Sequence, residues 1–210
     1  MIENVKYTYM NWGPFVLKTK LPNYVIKELL IQGKTAKQSY NKSLAGHLKD
    51  QFLYPVNVQN WFYKEITPIL QAYREGHCKY HGIENFNVEL SFDDLWVNYM
   101  KAGDFNPMHT HGGDYSFVIF LQVPDKLKQE MKDFEGTSAK PGMLMFEYTQ
   151  QAKPRWATTG TAITPETGDL YMFPALLQHW VAPFKSKVER ISVSGNIRII
   201  NKDKLPRDYF

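Results

Sequence analysis

The chain has 210 residues, 43% of them hydrophobic and 15% aromatic, which is enough for one large domain with its own core. Its 25 Lys and Arg are interleaved with 21 Asp and Glu for a net charge of +4, so no basic block indicates a nucleic-acid partner. A lone cysteine, Cys78, excludes an internal disulfide; with no signal-peptide pattern and no run of ~18 apolar residues, the expected protein is soluble and cytoplasmic, with no membrane association.

Residues 1–20 read as a short strand or extended lead-in that Pro22 stops. From Asn23, the stretch NYVIKELLIQG places Val25, Ile26, Leu29 and Leu30 on one face of a helix, with Asn23 to cap it and Gly33 to end it. Residues 43–54 (SLAGHLKDQFLY) are expected to add a second short helix. Residues 58–76 carry Trp61, Phe62, Ile66, Ile69, Leu70 and Tyr73 at helical spacing around Pro68. They read either as one kinked helix or as two, with Thr67 capping the second. The HCKYH run at 77–81 has metal-capable side chains but no fourth ligand at zinc spacing, and a surface or packing role fits it better.

After Gly82 the character changes. VELSFDDLWVNYM, DYSFVIFLQVP, MLMFEYT, TAITPE, DLYMFPA, HWVAPF and ERISVSGNIRII are short, rich in aromatic and β-branched residues, and punctuated by Gly, Pro, Asp and Asn. Such a series fits a mainly β jelly roll rather than βαβ units. The expected layout is a single domain over 1–210: an N-terminal helical support region (1–85) packed on one face of a β core (86–201). The polar run at 125–141 (DKLKQEMKDFEGTSAKP) reads as a mobile loop that could serve as a lid.

Three of the six histidines, His109, His111 and His179, stand at the edges of these β segments. Residues i and i+2 of a strand point to one side, so His109 and His111 can face the interior together and share an ion, while a barrel can bring His179 beside them. Three imidazoles with positions left open suit iron, and also zinc, copper or nickel. An isolated HxH pair, by contrast, often does no more than solvate a loop.

The surrounding residues resemble the 2-oxoglutarate and Fe(II)-dependent oxygenases. Over roughly residues 90 to 200, Tyr99, Gly103 and His109 stand in the order seen in the prolyl-hydroxylase-like branch. Gly168 and Asp169 lead to Phe173, Pro174 and the distal His179, and Arg190 with Ser192 follows about one strand later. The resemblance implies a double-stranded β-helix, a cupin-like form of jelly roll. It also implies the use of Fe(II), 2-oxoglutarate and O2 to hydroxylate a small-molecule or peptidyl substrate, with release of succinate and CO2. One departure is plain: His111 stands where the family most often has the aspartate of its HxD pair, as in a branch that shares the NPxHxH lead-in. The third ligand is then His111, or Asp114 from the GGD turn, or no side chain at all, and the lead-in favours His111.

Arg190 has a role that chemistry alone supports. The far carboxylate of a dicarboxylate co-substrate needs a partner inside a narrow barrel, and a guanidinium supplies two parallel hydrogen bonds. Ser192, on the same side of its strand, is expected to add a hydroxyl, and Tyr99 another; the plain alternative for Arg190 is a surface ion pair with Glu189. Asn98, Trp180 and Asn196 are expected to line the substrate pocket, although core packing or satisfied structural hydrogen bonds would also explain them. Two other functions compete. A three-histidine cupin enzyme without 2-oxoglutarate fits Gly103, His109, His111, Gly168, Pro174 and His179 but leaves Arg190 unexplained, and a non-catalytic jelly roll makes the histidines incidental.

Overall fold

The computed structural model describes residues 5–11, 14–82, 84, 88–148 and 160–201. Among them, twelve strands form: β1 (Tyr7–Asn11), β2 (Phe15–Lys20), β3 (Gln38–Ser39), β4 (Asp50–Leu53), β5 (Leu90–Met100), β6 (Asn106–His109), β7 (Tyr115–Gln122), β8 (Leu144–Glu147), β9 (Gly160–Ile163), β10 (Asp169–Pro174), β11 (Gln178–Val181) and β12 (Arg190–Ile199). The helices are α1 (Asn23–Thr35), α2 (Val56–His81) and α3 (Asp125–Asp133). Eight strands make one sheet in the order β1-β2-β10-β7-β12-β5-β4-β3, and four make a second in the order β6-β11-β8-β9. The pairings are antiparallel. This is the mainly β jelly roll that the aromatic and β-branched segments predict.

The alternation along each strand divides the interior in two. On the outer face of the large sheet, Leu95, Val97, Ile119 and Val193 pack against Val25 and Leu29 of α1 and Phe62 and Ile66 of α2. On its inner face, Met100, Phe120 and Phe173 meet Leu144, Phe146 and Val181 of the small sheet. Each such side chain contributes about 1.5–3 kcal/mol by leaving water, so the helices are held by packing and need no side-chain caps.

Several local expectations are corrected. Residues 43–54 are not helical: a 3₁₀ turn at Asn41–Ser43 leads through a loop into β4, whose four residues pair with β5. Pairing with an open sheet edge overrides the weak helical periodicity of so short a run. The first helix begins at Asn23 without a side-chain cap and continues past Gly33 to Thr35. Gly33 is there for close approach: a Cβ at that position would sit 3.0 Å from the hydroxyls of both Tyr54 and Tyr99. Residues 56–81 form one helix running through Pro68, and the Thr67 hydroxyl donates to the Tyr63 carbonyl instead of capping a new helix. The buried stripe of Phe62, Ile66, Ile69, Leu70 and Tyr73 carries the helix across the one missing N–H.

The polar run after β7 is helical over its first part. Its first nine residues form α3, with Leu127 and Met131 buried in the core between the sheets. Glu130 accepts hydrogen bonds from the Lys185 and Ser186 backbone amides, which ties the helix to the body of the protein. Residues 5–82 contribute four strands to the large sheet as well as two helices. The expected division between 85 and 86 falls outside the described residues.

Candidate active site

His109 ends β6, and its register partner across the small sheet is His179 on β11. His111 follows in the turn, held by its backbone N–H donating to the Ala175 carbonyl at 2.9 Å. The ring centroids lie 4.3 Å apart for His109 and His179, 5.0 Å for His109 and His111, and 4.9 Å for His111 and His179. Among the described residues these three form a cluster in which one nitrogen from each lies within 4.8 Å of the others.

The tautomers are arranged for a cation. His109 Nδ1 sits 2.7 Å from the Pro107 carbonyl, and His179 Nδ1 sits 2.8 Å from the Leu177 carbonyl. Each Nδ1–H donates to its carbonyl, which leaves Nε2 of both rings as the unprotonated nitrogen, and His179 Nε2 faces His111 in the cluster. His111 Nε2 is 3.0 Å from His179 Nε2, so without a metal it must carry the proton it shares with that lone pair. Burial keeps all three rings neutral: His179 is pushed down to about 3 and His111 to about 4, in both cases by burial first and neighbouring rings second, and His109 is lowered too, mainly by burial. Neutral imidazole is the form a metal takes.

The cluster stands on one wall of a cavity of about 370 Å³, with Arg190 and Ser192 on the opposite sheet. Arg190 is only 2% exposed. Its Nη1 contacts the Met100 sulfur at 3.6 Å, its guanidinium lies 4.8 Å from the centre of the Phe120 ring, and its Nε has no hydrogen-bond partner. Burial lowers it to about 10, still protonated at neutral pH. The expected competitor is absent, because Glu189 lies 3.7 Å from Lys101, which also meets Asp50 at 2.6 Å. A buried cation without a carboxylate costs several kcal/mol, and an anion entering the cavity offsets that cost. The donor sets therefore fit both groups: three neutral imidazoles for a divalent metal, and an unpaired guanidinium for a carboxylate.

Asn98 and Asn196 line the same cavity. Asn98 Oδ1 accepts from Gln51 Nε2 at 2.8 Å, and Asn196 Oδ1 accepts from the Ser116 hydroxyl at 2.9 Å. Three other expectations fail on orientation. Tyr99 is one residue from Asn98 and so faces the opposite side of β5, where it packs against Phe52 and below Gly33. Trp180 likewise points away from His179, its Nε1 donating to Glu147 Oε1 at 3.4 Å, and lines a separate cavity with Phe134 and Phe184. Asp114 turns to β12, its carboxylate accepting the Ile199 amide at 2.7 Å, and stands outside the histidine cluster. The run 125–141 contributes nothing to the histidine cavity.

Several lining residues had no motif to announce them. Gln51 and the loop 43–46 come from the stretch misread as helix, and Trp96, Asp94 and Tyr40 form an outer wall. The Trp96 ring lies 5.7 Å from His111 and 5.8 Å from Tyr40. Strand parity with Asn98 was the available signal for Trp96 and Asp94.

The comparisons agree with this geometry. Residues 94–196 match a family model described as "Putative 2OG-Fe(II) oxygenase". No curated protein matches the chain. Among solved structures, the viral collagen prolyl hydroxylase of Paramecium Bursaria Chlorella virus-1, in complex with 2OG, is 18% identical with a TM-score of 0.53, covering 90% of this chain and 98% of that one. A Pseudomonas putida prolyl-4-hydroxylase is 14% identical with a TM-score of 0.53, covering 89% and 94%. HygX from Streptomyces hygroscopicus, with nickel, 2-oxoglutarate and hygromycin B bound, is 9% identical with a TM-score of 0.58, covering 89% and 83%. At these identities the likeness is one of fold, the double-stranded β-helix, while the family match covers the strands that carry the histidines and Arg190. Residues 94–196 belong to the 2-oxoglutarate and Fe(II)-dependent oxygenases, enzymes that use Fe(II), 2-oxoglutarate and O2.

Proposed function

We propose that the protein hydroxylates a small-molecule or peptidyl substrate, with His109, His111 and His179 holding Fe(II) and Arg190 with Ser192 holding the far carboxylate of 2-oxoglutarate. The observation that carries this reading is Arg190: a buried guanidinium with an unpaired Nε, in the same cavity as the histidine cluster. When bound, the iron, the co-substrate and O2 together supply the oxidation, releasing succinate and CO2 and delivering one oxygen atom to a C–H bond.

The protein's own residues position these partners. The carbonyls of Pro107 and Leu177 fix two rings through Nδ1–H, which leaves Nε2 of each as the nitrogen for the metal. Arg190 sets the direction from which the dicarboxylate enters, converting encounter into a held geometry. Phe146 and Phe173 pack around His179 and keep that side of the cluster dry. The open side, walled by Tyr40, Asp94 and Trp96, is where the substrate approaches.

The neighbours support either size of substrate, since one holds hygromycin B and another is named for collagen. An all-histidine cluster also favours the cupin reading in isolation, but that reading gives Arg190 nothing to bind. The test is turnover: the Fe(II)-loaded protein should convert 2-oxoglutarate to succinate and CO2 in air, and a matched substrate should gain one atom of oxygen from labelled O2. Coupled turnover that leaves the substrate without added oxygen contradicts hydroxylation while leaving the oxygenase class intact.

A further inference from the structure

Gln51 lies outside the region that matches the family, on β4, and faces the cavity floor. It is 2% exposed; its Nε2 donates to Asn98 Oδ1 at 2.8 Å, while its Oε1 has no hydrogen-bond partner. A buried amide with one end unmet costs stability that a methionine of similar size avoids, so packing does not account for it. Nor can it swing aside, because the loop above it is tight. A methyl at Gly46 would collide with Asn106 and press on the Gln51 amide.

What the amide does is hold Asn98. Asn98 stands directly across from Ser192 in the register of β5 and β12, two residues from the Met100 and Arg190 pair, on the same face. The two ends of an asparagine amide have opposite character. With Oδ1 engaged by Gln51, the end left for the cavity is Nδ2, whose contact with the Ser194 hydroxyl is long at 3.4 Å. Arg190, Ser192 and Asn98 then present donors from one face. The reverse orientation would set an amide oxygen against an incoming carboxylate.

We propose that Gln51 is a positioning residue for the co-substrate: it locks the Asn98 amide with its N–H groups toward the cavity, where they donate to a carboxylate of 2-oxoglutarate beside Arg190 and Ser192. This rests on the co-substrate reading above. It also supplies, from the correct strand parity, the extra donor for which Tyr99 faces the wrong way.

The test is calorimetric binding of 2-oxoglutarate to the full chain loaded with Mn(II), for wild type, Gln51→Met, Asn98→Ala and the double variant, with melting temperatures of each. Each single change should weaken binding about tenfold or more. The double should bind no more weakly than Asn98→Ala, because Gln51 acts through Asn98. Without ligand, Gln51→Met should melt at or above the wild-type temperature. Gln51→Glu, whose carboxylate can only accept, should turn the Asn98 amide around and weaken binding further than Gln51→Met. Unchanged affinity in Gln51→Met and Gln51→Glu, or losses that multiply in the double variant, would overturn the proposal. Arg190→Met in the same assay separates the two claims. Normal binding by that variant, or none by wild type, defeats the co-substrate reading itself; loss in Arg190→Met beside full retention in Gln51→Met defeats only the role of Gln51.

Discussion

The two faces of the large sheet use the same strands for opposite purposes. On β5, Leu95 and Val97 point outward into a dry core against α1 and α2, while Trp96 and Asn98 point inward to the cavity. On β12, Ile191 and Val193 do the former, and Arg190, Ser192, Ser194 and Asn196 the latter. The outer face is where stability is made, and the inner face holds polar groups that stability alone would not select. Loss of function and loss of fold should therefore separate by residue parity.

The largest inner-face effect belongs to the histidine cluster. His179→Ala and His109→Ala should each abolish Fe(II) binding while leaving the helical signal intact, read by metal content after desalting. Arg190→Met comes next. It should lose 2-oxoglutarate affinity by two orders of magnitude or so, yet stabilise the ligand-free protein by ~1–4 kcal/mol, a rise of about 2–4 °C in melting temperature per kcal/mol for a chain of this size. On the outer face the signs reverse. Phe62→Ala should cost ~3–5 kcal/mol by leaving a cavity under the sheet, while 2-oxoglutarate affinity, measured well below the new melting point, stays at the wild-type value.

On the inner face, acid should act through the histidine cluster. His179 and His111 are lowered to about 3 and about 4 from an ordinary value of 6.5, so the folded cluster stays neutral where a free histidine would charge. Mn(II) affinity should thus hold from pH 7.5 to near 5 before falling, rather than declining through 6.5. The sign for stability follows. The unfolded chain binds these protons first, so the metal-free protein is fully stable above about 6.5 and loses stability as pH falls toward the folded values. The smallest effect is the sharpest check on parity: Tyr99→Phe should leave 2-oxoglutarate affinity unchanged.

Much of this was legible in the sequence, and what was not has a physical reason. The strands declared themselves through β-branched and aromatic runs, His109 and His111 through their i, i+2 spacing, and His179 and Arg190 through the family resemblance. Tyr99 and Asn98 were both expected at the site although adjacent strand residues cannot share a face; the structure chooses Asn98. Trp180 beside His179 is the same lesson. Gln51 was hidden because a strand of four residues carries too little periodicity to be told from helix, and its partners in β5 lie 43 to 49 residues away in sequence. The polar run at 125–141 hid its helix because only Leu127 and Met131 are buried.

The most direct test of the account is an anaerobic titration of the protein with Fe(II) and 2-oxoglutarate, following the visible charge-transfer band of the chelate. The account predicts a band in wild type that requires both additions, disappears in His179→Ala, and needs far more 2-oxoglutarate in Arg190→Met. Iron binding without a band at any 2-oxoglutarate concentration, or a band indifferent to Arg190, would contradict it.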